Sequence, residues 1–254
     1  MNKIKLTNEQ IAEFNENGYV IAKGYFNDKE VARLQEVAYN DPRLHSDAWH
    51  QKDSTGAVSK VCIWQETTDD LYSMFSRSRR LIDSCEQIIG EEMYHTSTKV
   101  MMKESKVGGA WEWHQDFGYW HHDNLMLYPK AISCMVAISE ATKENGCLQV
   151  LKASHKLGRL NHNKTGDQKG AELKFVEEAM KTLELVYVEL EPGDTLFFDC
   201  NLLHKSNQNK SDNPRWSMIS AYNAMSNQPF EENEAEYFPL NRVDDDAIIN
   251  WKAS

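Results

Sequence analysis

The stretch Trp111-Glu112-Trp113-His114-Gln115-Asp116-Phe117-Gly118-Tyr119-Trp120 sets an imidazole and a carboxylate two residues apart among aromatic side chains. On a β-strand the side-chain period is two, so His114 and Asp116 would share a face. A histidine nitrogen and a carboxylate oxygen aimed at one point are two of the three ligands of a facial-triad iron site. Alone the pair says little. For an isolated pair, a His and an Asp hydrogen-bonded in a polar corner is the better account.

Downstream lies a third donor. Asp199-Cys200-Asn201-Leu202-Leu203-His204-Lys205-Ser206 follows an apolar segment and the turn Pro192-Gly193-Asp194. A histidine at a strand end can turn His204 into the same barrel mouth as His114 and Asp116. Arg215 follows in Asn213-Pro214-Arg215-Trp216-Ser217, at the start of another strand. The ordered set is far more specific than any piece of it. A facial triad leaves open positions on Fe(II). The C1 carboxylate and keto oxygen of 2-oxoglutarate can fill two of them, and O2 the last. A guanidinium grips the far carboxylate bidentately, as a lysine cannot. Ser206, on the face of His204, could add a hydroxyl.

These motifs resemble the phytanoyl-CoA hydroxylase (PhyH) family of Fe(II)/2-oxoglutarate-dependent dioxygenases. The resemblance is carried by Trp113-His114-Gln115-Asp116, Glu144-Asn145-Gly146-Cys147-Leu148-Gln149-Val150, Ala153-Ser154-His155-Lys156, Pro192-Gly193-Asp194-Thr195 and His204 through Arg215. They span roughly residues 60–222. The resemblance implies a double-stranded β-helix (jelly-roll, cupin-like) core, with iron and 2-oxoglutarate. It places His114, Asp116 and His204 on the family's metal ligands. Arg215 and Ser206 fall on its co-substrate contacts. Lys60 matches a lysine near the co-substrate, but Lys99 occupies a pocket position that can be Met, so the two lysines compete. Met135 stands where the family can have Trp. Related iron halogenases carry a small residue in place of Asp116, so Asp116 implies hydroxylation.

The elements that must position these residues follow from periodicity. Thr7 with Gln10 has capping-box form, and Gly18 ends that helix. Tyr19–Ala22 reads as a strand. Asn27 caps a helix with the stripe Val31, Leu34, Val37, Ala38. Residues 40–57 read as a long surface loop, and loops of that length in compact domains are often functional. Val58–Trp64 reads as a strand and about Ser76–Ile89 as a helix closed by Gly90. From Met93 the period becomes two. Strands are expected at Tyr94–Met102, Trp111–Asp116, Ile132–Ile138, Gly146–Leu151, Val186–Leu190, Thr195–Phe198 and Met218–Tyr222, with a helix between Gly170 and Glu184. The fold class is therefore mainly β with flanking helices. One domain over 1–254 is expected, with helical support at about 7–90, the core at about 93–225, and a solvated acidic tail containing Asp244-Asp245-Asp246.

The 254 residues carry a net charge of -11 and no dense Lys/Arg run, which disfavours nucleic acid and anionic membranes as partners. No apolar run approaches the ~20 residues of a membrane helix, and the N-terminus lacks an apolar signal segment. The five cysteines include no C-x-x-C and read as reduced core thiols, so a cytoplasmic protein is expected. Oligomeric state is not legible.

The substrate is read less sharply. Tyr119, Trp120, Trp64 and Gln115 are candidates for contacting it, though aromatics in a jelly roll are more often core. The 40–57 loop and the segment Tyr119–Tyr128 would choose it. No basic cluster suits the phosphates of coenzyme A, which points to a small polar or charged metabolite. Desaturation or cyclisation on the same scaffold, a zinc hydrolase using the same open three-ligand site, and a non-catalytic binding module remain alternatives.

Overall fold

The computed structural model describes residues 5–123, 126–165, 168–230 and 240–252. In chain order it comprises α1 (Asn8–Asn17), β1 (Tyr19–Ala22), α2 (Asp28–Asn40), α3 (Pro42–Ser46), β2 (Trp49–Lys52), β3 (Val58–Trp64), α4 (Leu71–Ser76) and α5 (Arg79–Ile89). The second half holds β4 (Met93–Lys103), β5 (Trp111–His114), α6 (Asp116–Asp123), β6 (Ala131–Ala137), β7 (Leu148–Leu151), β8 (His162–Thr165) and β9 (Gln168–Ala171). Then come α7 (Leu173–Met180), β10 (Leu185–Val188), β11 (Thr195–Asp199), β12 (His204–Ser206), β13 (Arg215–Ala224) and α8 (Ala247–Asn250).

The strands form a seven-stranded sheet, β1-β11-β6-β13-β4-β3-β2, and a four-stranded sheet, β10-β7-β12-β5. All the ladder pairs are antiparallel. The two sheets face each other across Met101, Met135, Leu148, Val150, Phe198 and Ile219, which is the jelly roll the sequence implied. The other face of the large sheet (Val100, Met102, Ile132, Cys134, Met218) packs against Leu34, Phe75 and Leu81 of the helical layer. Period-two alternation thus sorts each long strand into a barrel side and a helix side. On β4 the barrel side is Lys99, Met101 and Lys103. On β13 it is Arg215, Ser217 and Ile219, by the register Lys99↔Ile219 and Lys103↔Arg215.

Most expected boundaries hold to within a few residues. The Thr7–Gln10 capping box forms in both directions, and Gly18 takes φ 81° to end α1. Asn27 caps α2 with Glu30 completing a box of its own. Three readings change and one helix is added. The 40–57 stretch is not one loop: Asp41 with Pro42 starts α3, and β2 pairs with β3 at the sheet edge. The helix placed at about Ser76–Ile89 is α5, closed by Gly90 as expected, and is preceded by a short helix, α4, that was not expected. The strand expected over Trp111–Asp116 stops at His114, because Phe117 donates its N–H to Cys200 O at 2.8 Å and the chain turns into α6. The tail is not simply solvated. Asp244 and Asp245 pair with Arg79 and Arg80 at 2.6 and 3.2 Å, and Leu240 and Ile248 join the core; its residues 231–239 lie outside the described residues. The β8–β9 hairpin had no sequence signal, since its residues are nearly all polar. The five cysteines are all buried and free. No helix among the described residues is long and apolar enough to cross a membrane.

Candidate metal centre

The three donors come from separate pieces of backbone. His114 ends β5, Asp116 opens α6, and His204 starts β12. His204 is the cross-strand partner of His114, which brings the ring centroids to 4.0 Å. Asp116 Oδ1 lies 4.0 Å from His114 Nε2 and 3.8 Å from His204 Nε2. These separations exceed hydrogen-bond length, so the donors surround a gap instead of binding one another. All three residues are buried, and their ligand atoms lie within 4.8 Å of each other.

The orientation of each donor has a physical cause. His114 Nδ1 meets Glu112 O at 2.7 Å and His204 Nδ1 meets Leu202 O at 2.9 Å. A carbonyl only accepts, so each Nδ1 carries the proton and each Nε2 turns a lone pair into the gap. Ser133 Oγ donates to Asp116 Oδ2 at 2.6 Å, leaving Oδ1 free. Two neutral imidazoles and one tethered carboxylate are a donor set that suits a divalent metal. Burial holds both imidazoles below their ordinary 6.5, His114 far below, with the neighbouring histidine adding to the effect there. Protons and metal compete for Nε2. Metal affinity is therefore expected to be flat above neutrality and to fall only as pH drops past the ordinary imidazole range. Fe(II) titrations from pH 8 down to about 5 check this. Affinity lost between pH 8 and 7 would contradict the neutral, buried pair.

A narrow pocket opens beside the histidines. Lys99, Met101 and Met135 line one wall, Trp111 and Leu148 the other, with Ser206 and Arg215 further in. Arg215 is buried. Its Nη2 donates to Gly146 O at 2.9 Å and an Nη1 contact reaches Ser217 at 3.2 Å, but Nε has no hydrogen-bond partner. Burial draws its pKa down to about 10, which leaves it cationic at neutral pH. An orphaned, charged donor inside a pocket is a site made for an anion.

The model of the phytanoyl-CoA dioxygenase (PhyH) family matches residues 14–217. The chain belongs to the phytanoyl-CoA dioxygenase family. It is an oxygenase of that family, as the order of His114, Asp116, His204 and Arg215 implied. Among relatives in the family, ectoine dioxygenase of Sphingopyxis alaskensis is 28% identical over 242 residues, covering 89% of this chain and 79% of that one. L-proline trans-4-hydroxylase of Streptomyces griseoviridis is 29% identical over 176 residues, covering 63% of this chain and 66% of that protein. The crystal structure of EctD from S. alaskensis with 2-oxoglutarate and 5-hydroxyectoine superposes with a TM-score of 0.80 at 26% identity, over 96% of this chain and 89% of the other.

Of the competing lysines, Lys99 lines the pocket and acts on both histidines through space. Lys60 pairs with Met102 on the helix side of the large sheet. Tyr119 packs its ring 5.4 Å from His114 and donates its hydroxyl to Lys169 O. Trp120 leans on the small cluster of Phe117, Met126 and Cys200. Trp64 stacks on Tyr72 at 5.0 Å, in the helical layer. Gln115 is wholly consumed by backbone: its amide donates to Gly158 O and Asn201 O and accepts from Leu160 N–H. It positions the loops beside the centre.

Sequence reading missed Ser133, whose only signal was a hydroxyl on the barrel side of an otherwise apolar strand. It also missed His162, which accepts the Gln115 N–H at 2.9 Å and fills the space over Gly118. A Cβ on Gly118 would sit 2.0 Å from His162 Cε1. Gly118→Ala is thus expected to displace His162 and to cost about 1–3 kcal/mol of stability, read as a fall in unfolding temperature. An unchanged transition would show that the β8–β9 flap moves aside freely.

Proposed function

We propose that this chain is an Fe(II)- and 2-oxoglutarate-dependent hydroxylase of a small zwitterionic metabolite. The observation that carries the reading is one pocket holding both an open His114/Asp116/His204 donor set and the orphaned guanidinium of Arg215. In this reading the two Nε2 atoms and Asp116 Oδ1 hold the iron. Arg215, with Ser206 beside it, holds the far carboxylate of 2-oxoglutarate. Lys99 sits nearer the metal than Arg215 does, because it is four residues further along β4 from the Arg215 pairing position, about 13 Å. Bound iron supplies the reduction of O2, coupled to oxidative decarboxylation of 2-oxoglutarate to succinate and CO2, and delivery of the second oxygen atom to a C–H bond. The protein excludes water and fixes the donors.

The substrate class follows from the walls. Trp111 faces the pocket with Trp49 edge-on at 6.4 Å, and Tyr119 stands against His114. Aromatic faces attract a compact cation. Ectoine and L-proline, named for the two relatives, are both small rings carrying a cation and a carboxylate. Trp49 comes from the 40–57 stretch, which keeps a role for that segment in substrate choice. A zinc hydrolase would need a general base. Among the described residues, the pocket lining besides the histidines offers only cations as charged groups. One domain, with the helical layer as support, and a reducing cytoplasmic setting complete the proposal, the latter supported by the five unpaired thiols.

The test is an anaerobic titration of the protein with Fe(II) and 2-oxoglutarate. The weak visible charge-transfer band of the chelate should appear. Aerobic turnover with ectoine, L-proline and related zwitterions should then give succinate and a product heavier by one oxygen. Iron bound without the band would sink the co-substrate assignment while leaving the fold intact.

A further inference from the structure

The barrel side of β4 carries a second buried cation that this reading leaves unused. Lys103 is 0% exposed and is the antiparallel partner of Arg215, so the two side chains leave the sheet on one face. Lys103 Nζ donates to Asn207 O, and Arg215 Nη2 donates to Gly146 O at 2.9 Å. Those carbonyls sit in segments pressed together, since a Cβ on Gly146 would lie 2.4 Å from Asn207 O. The two side chains therefore end in neighbouring segments, Lys103 on the residue that follows Ser206 and Arg215 in the pocket lining.

Among the described residues, no carboxylate comes within ion-pair distance of Lys103 or Arg215. The acid whose charge acts on Lys103 is Asp53. Its oxygens are taken by the N–H groups of Thr55, Ala57 and Ala110, the Thr55 hydroxyl and the Gln208 amide. Cys147 is pushed up to about 11 by burial and stays a neutral thiol. Holding both buried groups protonated without a counter-ion costs free energy, and an anion reaching them would offset that cost.

We propose that Lys103 and Arg215 together receive the far carboxylate of the dicarboxylic co-substrate, with Lys103 as the second cation. The inference rests on the oxygenase reading of the pocket. Burial and the Arg215 charge hold the Lys103 ammonium well below its ordinary pKa. An arriving carboxylate reverses both effects, so binding favours the protonated lysine.

A purely structural lysine makes the opposite prediction from a binding one. Lys103→Met removes a poorly compensated buried charge, and Lys103→Gln also keeps a donor for Asn207 O. Both are expected to unfold at or above the parent temperature and to bind Fe(II) unchanged. Both should raise the Kd of 2-oxoglutarate about tenfold or more. The Kd of 2-oxopentanoate, which keeps the keto-acid head and lacks the far carboxylate, should not move. A preserved preference for 2-oxoglutarate over 2-oxopentanoate in both variants overturns the proposal, as does failure of both to fold. If Arg215→Ala weakens 2-oxoglutarate and the Lys103 variants do not, only this inference falls. If the parent protein binds no 2-oxoglutarate, the oxygenase reading falls with it.

Discussion

Asp116→Ala is expected to abolish Fe(II) binding and all succinate formation, with or without substrate. The carboxylate is the only anionic member of the donor set, and its Oδ1 stands 3.8–4.0 Å from both imidazole nitrogens. Without it, two neutral histidines face the gap, and neither can move far. Each is held by a Nδ1 bond to the carbonyl two residues back. A graded effect should come from Ser133→Ala. Ser133 touches no part of the gap and only fixes Asp116 Oδ2, at 2.6 Å. Loss of such an outer partner costs about 10–100-fold in metal affinity or activity. Fe(II) titration of both variants, alongside far-ultraviolet circular dichroism to confirm folding, separates the cases. Succinate production retained in Asp116→Ala would sink the assignment of the ligands.

The ordering of those effects explains what was legible in the sequence. The donors could be read because metal chemistry restricts residue type, and because the order His114, Asp116, His204, Arg215 survives as a linear pattern. Their convergence differs from the shared-strand expectation in one respect. His114 and Asp116 do not share a strand face; the strand ends at His114 and Asp116 points into the gap from the first turn of α6. Long strands were legible because one side packs on helices and the other on the second sheet, which enforces period two. The edge strand β2 and the β8–β9 hairpin were not, because neither buries enough apolar surface to impose a pattern. The pairing of Lys103 with Arg215 depends on register between strands more than a hundred residues apart, and the contact of Ser133 with Asp116 on how β6 sits beneath the turn into α6. A single sequence does not display register. Which of Lys60 and Lys99 faces the barrel depends on the same point, since a shift of one residue exchanges the barrel side for the helix side.

Arg215→Ala should leave Fe(II) binding intact and raise the Kd of 2-oxoglutarate by at least about thirtyfold, equivalent to about 2 kcal/mol or more. The guanidinium is fully desolvated, two of its three nitrogens are committed to Gly146 O and Ser217, and Nε waits without a partner. Pre-ordering of that kind means that little side-chain entropy is lost when the carboxylate arrives, so most of the charge-assisted bond appears as affinity. Arg215→Lys should recover only part of the loss, because an ammonium lacks the planar fork. The charge-transfer band reports the effect directly: saturation should shift to higher 2-oxoglutarate concentration while the band position stays the same. Equal affinities for parent and Arg215→Ala would move the far carboxylate elsewhere, and Lys99 would then be the cation to test. The geometry argues against that outcome. Lys99 influences both His114 and His204, at the metal end of the pocket, whereas a five-carbon diacid chelating there carries its second charge away from the iron, along β4 towards Arg215.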